Sequence, residues 1–152
     1  MRVYLPVTLD ELQDSTPVLL APRPAHAVTA ALRAAWADED EEGWEYAAQA
    51  SAADDSLALL AARTQAPRLR VVVAADLPDA CVTAAADPAV PSAVEVVCGV
   101  GLDQVVSVHV DEPEAAQDVA GAAAGEEAAL ERLEERDLLW YDVTEVRDIP
   151  RA

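Results

Sequence analysis

The side chains best suited to acid–base or metal chemistry are the two histidines, His26 and His109. Histidine is the residue whose unperturbed pKa lies nearest to neutrality. His109 stands two positions before Asp111 in a segment with strand-like alternation, so both side chains point to one face about 7 Å apart. Because a histidine beside a carboxylate can act as a general acid or base, His109, Asp111 and His26 are the candidate catalytic residues. They support the hypothesis of a small metal-dependent or His/Asp hydrolase.

A second candidate site is the acidic run over residues 38–43, DEDEEG. Its alternating carboxylates Asp38, Asp40 and Glu42 resemble the start of an EF-hand calcium loop and are the candidate metal ligands. The twelfth position of such a loop requires a bidentate glutamate, and this chain has Gln49 there. The sequence favours a second interpretation, in which the run is the acidic first turn of a helix and is stabilised by the helix dipole.

Signatures of other enzyme classes are missing from the sequence. None of the serines lies in a Gly-x-Ser-x-Gly elbow, and Gly99-Val100-Gly101 lacks the third glycine of a dinucleotide-binding turn. The chain also has no lysine for a Schiff base or a P-loop. We therefore predict no cofactor, and we expect a non-enzymatic protein while the His/Asp hypothesis keeps the enzyme question open.

Charge is the strongest compositional signal. The chain has 29 acidic residues against 10 basic ones, all arginine, which gives a formal net charge of −19. Such a field repels phosphates, so direct binding to nucleic acid or to a membrane is not expected. One explanation of this charge is a solvated acidic surface that reflects the composition of a high-GC genome. The leading functional hypothesis is an interaction or regulatory domain that meets a protein partner, and the alternative is a nucleic-acid mimic that binds a basic partner.

Aromatic side chains lie beside the acidic run and in the last predicted strand. Large aromatic residues are either the bulky pieces of a core or exposed anchors for a partner. Trp140 and Tyr141 point to opposite faces of one strand, so both faces need a cover, and a homodimer through the sheet is one hypothesis. The candidate partner-binding residues are Glu39, Glu41, Trp44 and Trp140.

Apolar periodicity predicts the secondary structure. Alternating residues predict strands over residues 2–7, 69–75, 94–98, 106–110 and 138–143, with Pro6 favouring an edge position for the first strand. Gly99-Val100-Gly101 is predicted to turn two of these strands into a hairpin, and residues 14–27 are predicted to be a connection. Apolar residues at helical spacing follow Thr29, the acidic run and Pro113, which predicts helices after each of them. This spacing places Tyr46 in the apolar stripe of the second helix.

These elements predict an α+β fold. We expect a mostly antiparallel sheet of four to five strands with helices packed on one face, for which a ferredoxin-like order is one arrangement. A chain of 152 residues is long enough for one core, so a single domain over residues 1–152 is predicted.

The two cysteines, Cys81 and Cys98, are too few and too widely spaced for a zinc motif. We expect both to be buried and reduced, and the alternative is a bridge between them. The first residues lack the basic and apolar regions of an export signal, and no uncharged stretch approaches membrane-spanning length. A cytoplasmic location, where thiols stay reduced, is therefore expected.

Several segments resemble an uncharacterised family of short acidic actinobacterial proteins. They are residues 1–6 (MRVYLP), 27–36, the acidic turn followed by EYAA, 70–76 (RVVVAAD), 108–111 (VHVD) and 139–141 (LWY). The similarity spans nearly the whole chain. It implies an intracellular actinobacterial origin and carries no catalytic residue over to this sequence.

Overall fold

A computed structural model describes residues 1–13, 17–86, 88 and 90–151, so the predicted connection over residues 14–27 begins outside the described residues. The described strands are β1 (Arg2–Val7), β2 (Val18–Leu19), β3 (Arg23–His26), β4 (Val71–Asp76), β5 (Val82–Ala84), β6 (Ala93–Val96), β7 (Val100–Gly101), β8 (Val105–Val110) and β9 (Leu139–Asp142). The α-helices are α1 (Ala30–Ala35), α2 (Glu41–Ala62), α3 (Ala116–Ala123) and α4 (Glu127–Glu134). Short 3₁₀ turns lie at Leu9–Leu12, Asp79–Cys81, Leu102–Gln104, Pro113–Ala115 and Val143–Asp148.

The predicted α+β class is confirmed, with a larger sheet than expected. Seven strands are paired in the order β5-β6-β3-β1-β4-β8-β9, and every pairing is antiparallel. The strands that exceed the expected four to five are β3 and β5. Neither could be recognised from alternation, because β3 contains Pro24 and β5 has only three residues.

The edge position predicted for β1 is wrong. β1 lies between β3 and β4, and it pairs with β4 along its whole length, from Arg2 opposite Asp76 to Val7 opposite Val71. Its pairing with β3 is registered only at Tyr4 opposite His26. Extending that register by two residues places Pro6 opposite Pro24, and neither proline has an N–H to donate. A central strand tolerates Pro6 because pairing on that side has already stopped.

The predicted hairpin around Gly99 is also wrong. β6 pairs with β3 and β5, whereas β8 pairs with β4 and β9. Val100 and Gly101 instead pair with Leu19 and Val18 in a separate two-stranded sheet. Alternation identifies a strand, but it does not identify the neighbour with which the strand pairs.

Only the first half of the ferredoxin-like order is present in the sheet. The connection through α2 joins β3 to β4 across the intervening β1, which is a split β-α-β unit. The connection through α3 and α4 returns instead to an adjacent strand, since β9 pairs directly with β8. The sheet therefore ends at β9.

The α-helices cover one face of the sheet, as predicted. α2 contacts β1, β3 and β4, and it meets them with small buried residues: Ala48, Ala52 and Ser56. The Ser56 hydroxyl donates to the Val7 carbonyl at 2.8 Å and accepts from the Val71 amide at 2.9 Å, so it fastens α2 to the β1–β4 pair. Side chains on the opposite face, including Leu5, pack beneath the 3₁₀ turns and connections. No helix among the described residues is both long and apolar enough to cross a membrane.

The cysteines form a disulfide, contrary to the expectation of reduced thiols. The Cys81 and Cys98 Cα atoms lie 5.2 Å apart. β5 pairs with β6 at Val82 opposite Val96, and the Val97 amide donates to the Cys81 carbonyl at 2.9 Å. This pairing brings the two cysteines together at the base of an edge hairpin. The sequence analysis kept this bridge only as an alternative, because β5, which brings the cysteines together, was not predicted.

Candidate functional site

The three candidate catalytic residues are not brought together. His26 lies on β3 and His109 on β8, with β1 and β4 between them. Three strand spacings place β3 and β8 roughly 14 Å apart, and the histidines are also offset along these strands. Asp111 follows the end of β8 and points to Arg70, the residue before β4. The described residues therefore assemble no catalytic site from this set.

Asp111 forms a buried ion pair with Arg70. Its Oδ2 accepts from the Arg70 amide at 2.8 Å and from Arg70 Nε at 2.9 Å, and its Oδ1 accepts from Arg70 Nη2 at 2.8 Å. The Asp111 side chain is fully buried and that of Arg70 is 9% exposed. Both carboxylate oxygens are thus committed to one arginine, which ties the end of β8 to the residue before β4. This is a structural role.

His109 is half-buried and has an uncharged neighbour. Its Nε2 lies 2.9 Å from the Ser107 hydroxyl on the same strand. Burial lowers the pKa of His109, because the charged imidazolium loses hydration. The ring is therefore neutral at physiological pH. It stands opposite Trp140 on β9.

His26 belongs to a hydrogen-bonded chain that the sequence analysis missed. Its Nδ1 lies 2.8 Å from the Ser92 hydroxyl, and its Nε2 lies 2.6 Å from Asp55 Oδ2. The composition is that of a Ser-His-Asp triad, but the burial is inverted. Ser92 is 2% exposed, whereas the Asp55 side chain is 47% exposed. A nucleophilic hydroxyl must be reached by its substrate. This chain instead clamps β3, α2 and the segment before β6 together.

The candidate metal ligands lie at the start of α2. Asp40 is the N-cap and accepts from the Gly43 amide at 2.9 Å, and Glu42 is in the first turn. Glu41 forms an exposed ion pair with Arg33 at 2.8 Å. Within the described ranges, no group of three or more His, Cys, Asp or Glu side chains has a metal-binding arrangement. The run therefore has the geometry of an acidic helix start.

Two exposed aromatic rings accompany these carboxylates. Trp36 is 50% exposed and Tyr46 is 64% exposed. They line a shallow pocket of about 370 Å³ together with carboxylates of the run; its wall consists of Trp36, Glu39, Asp40, Glu42, Gly43 and Tyr46. A Cβ atom at Gly43 would overlap the Glu39 carboxylate, so the glycine makes room for that side chain. We call this set the acidic aromatic pocket.

Trp44 supports the pocket from inside. Its Nε1 donates to the Trp36 carbonyl at 3.0 Å, and the Arg33 guanidinium lies 4.5 Å from the centre of a Trp44 ring. Trp44 is only partly exposed and packs on the helix-side core. The prediction that Tyr46 belongs to the buried stripe of α2 is wrong. Ala48, Ala52 and Ser56 face the sheet instead, which turns Tyr46 outward.

A second groove shares Tyr46 with the pocket. This groove of about 220 Å³ lies between α2 and α4 and reaches Leu138, the residue before β9. Leu130 on its rim is 40% exposed. Asp54 also lines the groove, and burial raises the pKa of its carboxyl group. Beyond the groove, Leu139 is 42% and Trp140 60% exposed, so exposed apolar side chains continue from the start of α2 to β9.

The fold and this surface define an acidic α+β domain with exposed aromatic side chains and, among the described residues, no assembled metal or nucleophile site. The chain belongs to a family of unknown function, DUF6912, whose model matches residues 1–149. This match confirms the resemblance to an uncharacterised family over nearly the whole chain, and the actinobacterial origin stays a prediction. No curated protein and no solved structure matches the chain significantly.

Proposed function

We propose that this protein is an interaction domain that binds a basic segment of a partner protein at the acidic aromatic pocket. The observation that carries the proposal is the exposure of Trp36 and Tyr46 on either side of the carboxylates at the start of α2. Large exposed aromatic residues are uncommon on a surface that has no partner, and they are enriched at the centres of interfaces.

The chemistry of the pocket suits a lysine or arginine side chain. A cation over an aromatic face gains about 0.5–1 kcal/mol when exposed and about 2 kcal/mol when desolvated. The same chain already shows this interaction, since the Arg33 guanidinium lies 4.5 Å from the centre of a Trp44 ring. Glu39 and Glu42 supply the opposite charge at the rim. A volume of about 370 Å³ lies near the lower end of the range for ligand pockets, which fits one side chain.

The net charge of −19 supports the same class of partner. Complementary charge mainly raises the association rate and discriminates against partners of the wrong sign. Binding through this surface should therefore weaken as salt screens the carboxylates, with a screening length of about 8 Å at physiological ionic strength. The hydrolase hypothesis has no comparable support, because Asp111 is committed to Arg70 and Ser92 is buried.

The experiment is a calorimetric titration of the protein with a capped peptide of alternating lysine and valine residues, carried out at two ionic strengths. Trp36→Ala/Tyr46→Ala should abolish most of the binding. Leu20→Ala is the matched control, since Leu20 is an exposed apolar residue at 76% and does not line the pocket. Equal affinities of the wild type and the double variant would refute the proposal.

Two variants with the same net charge separate specific contacts in the pocket from the effect of the overall negative charge. Glu39→Gln/Glu42→Gln removes two carboxylates from the pocket wall. Asp103→Asn/Glu114→Gln removes the same charge from exposed positions that do not line it. The first variant should weaken peptide binding more than the second. Equal weakening would mean that the peptide responds to the net charge alone.

A further inference from the structure

The last strand leaves one edge of the sheet open. β9 is the terminal strand of the seven, and among the described residues its only strand partner is β8. Its outer N–H and C=O groups are therefore available to another chain. The 3₁₀ turn Val143–Asp148 does not cover this edge with a strand. It packs through Val146 into the core on the sheet face that lies opposite the helices.

This edge has no proline, lysine or bulge to block it, and its one charged side chain is Asp142 at the end of the strand. Natural proteins block open edges with proline, lysine, a bulge or an inward-pointing charge. β9 has the sequence LWYD, and no register shift interrupts its pairing with β8. Two large apolar side chains, Leu139 at 42% and Trp140 at 60% exposure, stand on it. They point to opposite faces, so an added strand would find an apolar contact on each side.

The edge is continuous with the acidic aromatic pocket. Tyr46 lines both that pocket and the groove between α2 and α4, and the groove reaches Leu138 immediately before β9. Leu138 and Trp140, two residues apart, share the helix-side face of the sheet. A single extended segment could therefore contact the pocket, the groove and β9 in succession.

Charge decides which occupant fits the edge. Residues 131–148 contain seven carboxylates and three arginines. A second copy would bring the same excess of carboxylates, and a total charge of −19, against it. A basic segment would find opposite charge on both sides of β9.

We infer that β9 takes an extended strand from the basic partner, so that the partner is held by strand addition to the sheet as well as by the pocket. This inference rests on the proposed function. In strand addition, main-chain hydrogen bonds supply much of the affinity, and alternate side chains of the added strand read the surface. The partner segment would accordingly alternate basic and apolar residues.

The test uses two peptides against the full chain. One is the capped peptide of alternating lysine and valine. The other is the same peptide N-methylated at every residue, which removes the donors from both of its edges while keeping charge and side chains. The methylated peptide should bind about tenfold more weakly or worse. Amide hydrogen exchange at residues 139–142 should slow with the first peptide and not with the second.

The outcomes separate the two proposals. Equal binding of both peptides, with unchanged exchange in β9 and loss of binding in Trp36→Ala/Tyr46→Ala, would overturn the strand inference and leave the proposed function in place. Failure of both peptides to bind would overturn the proposed function. A doubled mass in sedimentation, reversed by Trp140→Ala, would show that a second copy occupies the edge and would also overturn the inference.

Discussion

Removing the charge of Asp111 should destabilise the fold severely. Asp111→Asn keeps the size of the side chain but leaves the Arg70 guanidinium buried without its counter-ion. Breaking one partner of a buried pair costs about 3–5 kcal/mol, because the remaining charge is uncompensated. A domain of this size has about 5–15 kcal/mol of stability in total. The variant should thus lose a large share of it.

The expected change in melting temperature follows from the same figures. For a domain of about 150 residues, 1 kcal/mol corresponds to about 2–4 °C, which gives a decrease of roughly 6–20 °C. Urea denaturation followed by circular dichroism measures the free energy of unfolding directly. The control is Asp148→Asn, since Asp148 is exposed and its replacement should change stability by about 0.5 kcal/mol at most.

A second variant tests the reason for the loss. Arg70→Met/Asp111→Ala removes both charges, so no ion remains buried, and replacing a whole pair by apolar residues is often neutral. The double variant should therefore be more stable than Asp111→Asn alone. A loss below about 1 kcal/mol in Asp111→Asn, or a double variant less stable than the single one, would refute the argument that the pair is a buried and mutually dependent unit.

Three further predictions concern stability. Asp54→Asn should raise the melting temperature at neutral pH, because burial raises the pKa of the Asp54 carboxyl group in the folded state. The gain relative to the Asp148→Asn control should vanish as the pH falls below 3.8, the ordinary pKa of aspartate. A pH-independent gain would contradict this prediction. Cys81→Ala/Cys98→Ala should cost about 3 kcal/mol by loop-closure entropy, and a reductant should lower the melting temperature of the wild type only. Ser92→Ala should cost about 1–3 kcal/mol, measured by urea denaturation, because His26 Nδ1 then loses its buried partner.

Local signals in the sequence predicted the elements well. Thr29 caps α1 by accepting from the Leu32 amide at 3.0 Å, and Asp40 caps α2, so both helix starts lie where polar residues precede apolar spacing. All five of the alternating segments contain strands of the main sheet. The pairing of these strands depends on contacts between distant residues. Pro6, which favours an edge in isolation, is tolerated in the middle of the sheet because the pairing of β1 with β3 is registered only at Tyr4.

The candidate site was predicted less completely. The acidic run was recognised, and Trp140 is exposed, while its role in partner binding stays a prediction. Tyr46 was assigned to the wrong side of α2, since the alanines of the helix face the sheet. Trp44 is partly exposed, and its role in partner binding stays a prediction. The chain of His26, Asp55 and Ser92 joins residues that lie far apart in sequence. No spacing rule could have found it.

The two sides of α2 differ in the substitutions that they tolerate, because small side chains lie between the helix and the sheet. Ala48, Ala52 and Ser56 leave little distance between the helix and the strands, so a larger residue at any of them would have to lift a helix of 22 residues as one body. Substitutions on the outer side, where Tyr46 stands, meet no such resistance. Substitutions can therefore change one side of this helix while its other side keeps the distance between helix and sheet constant.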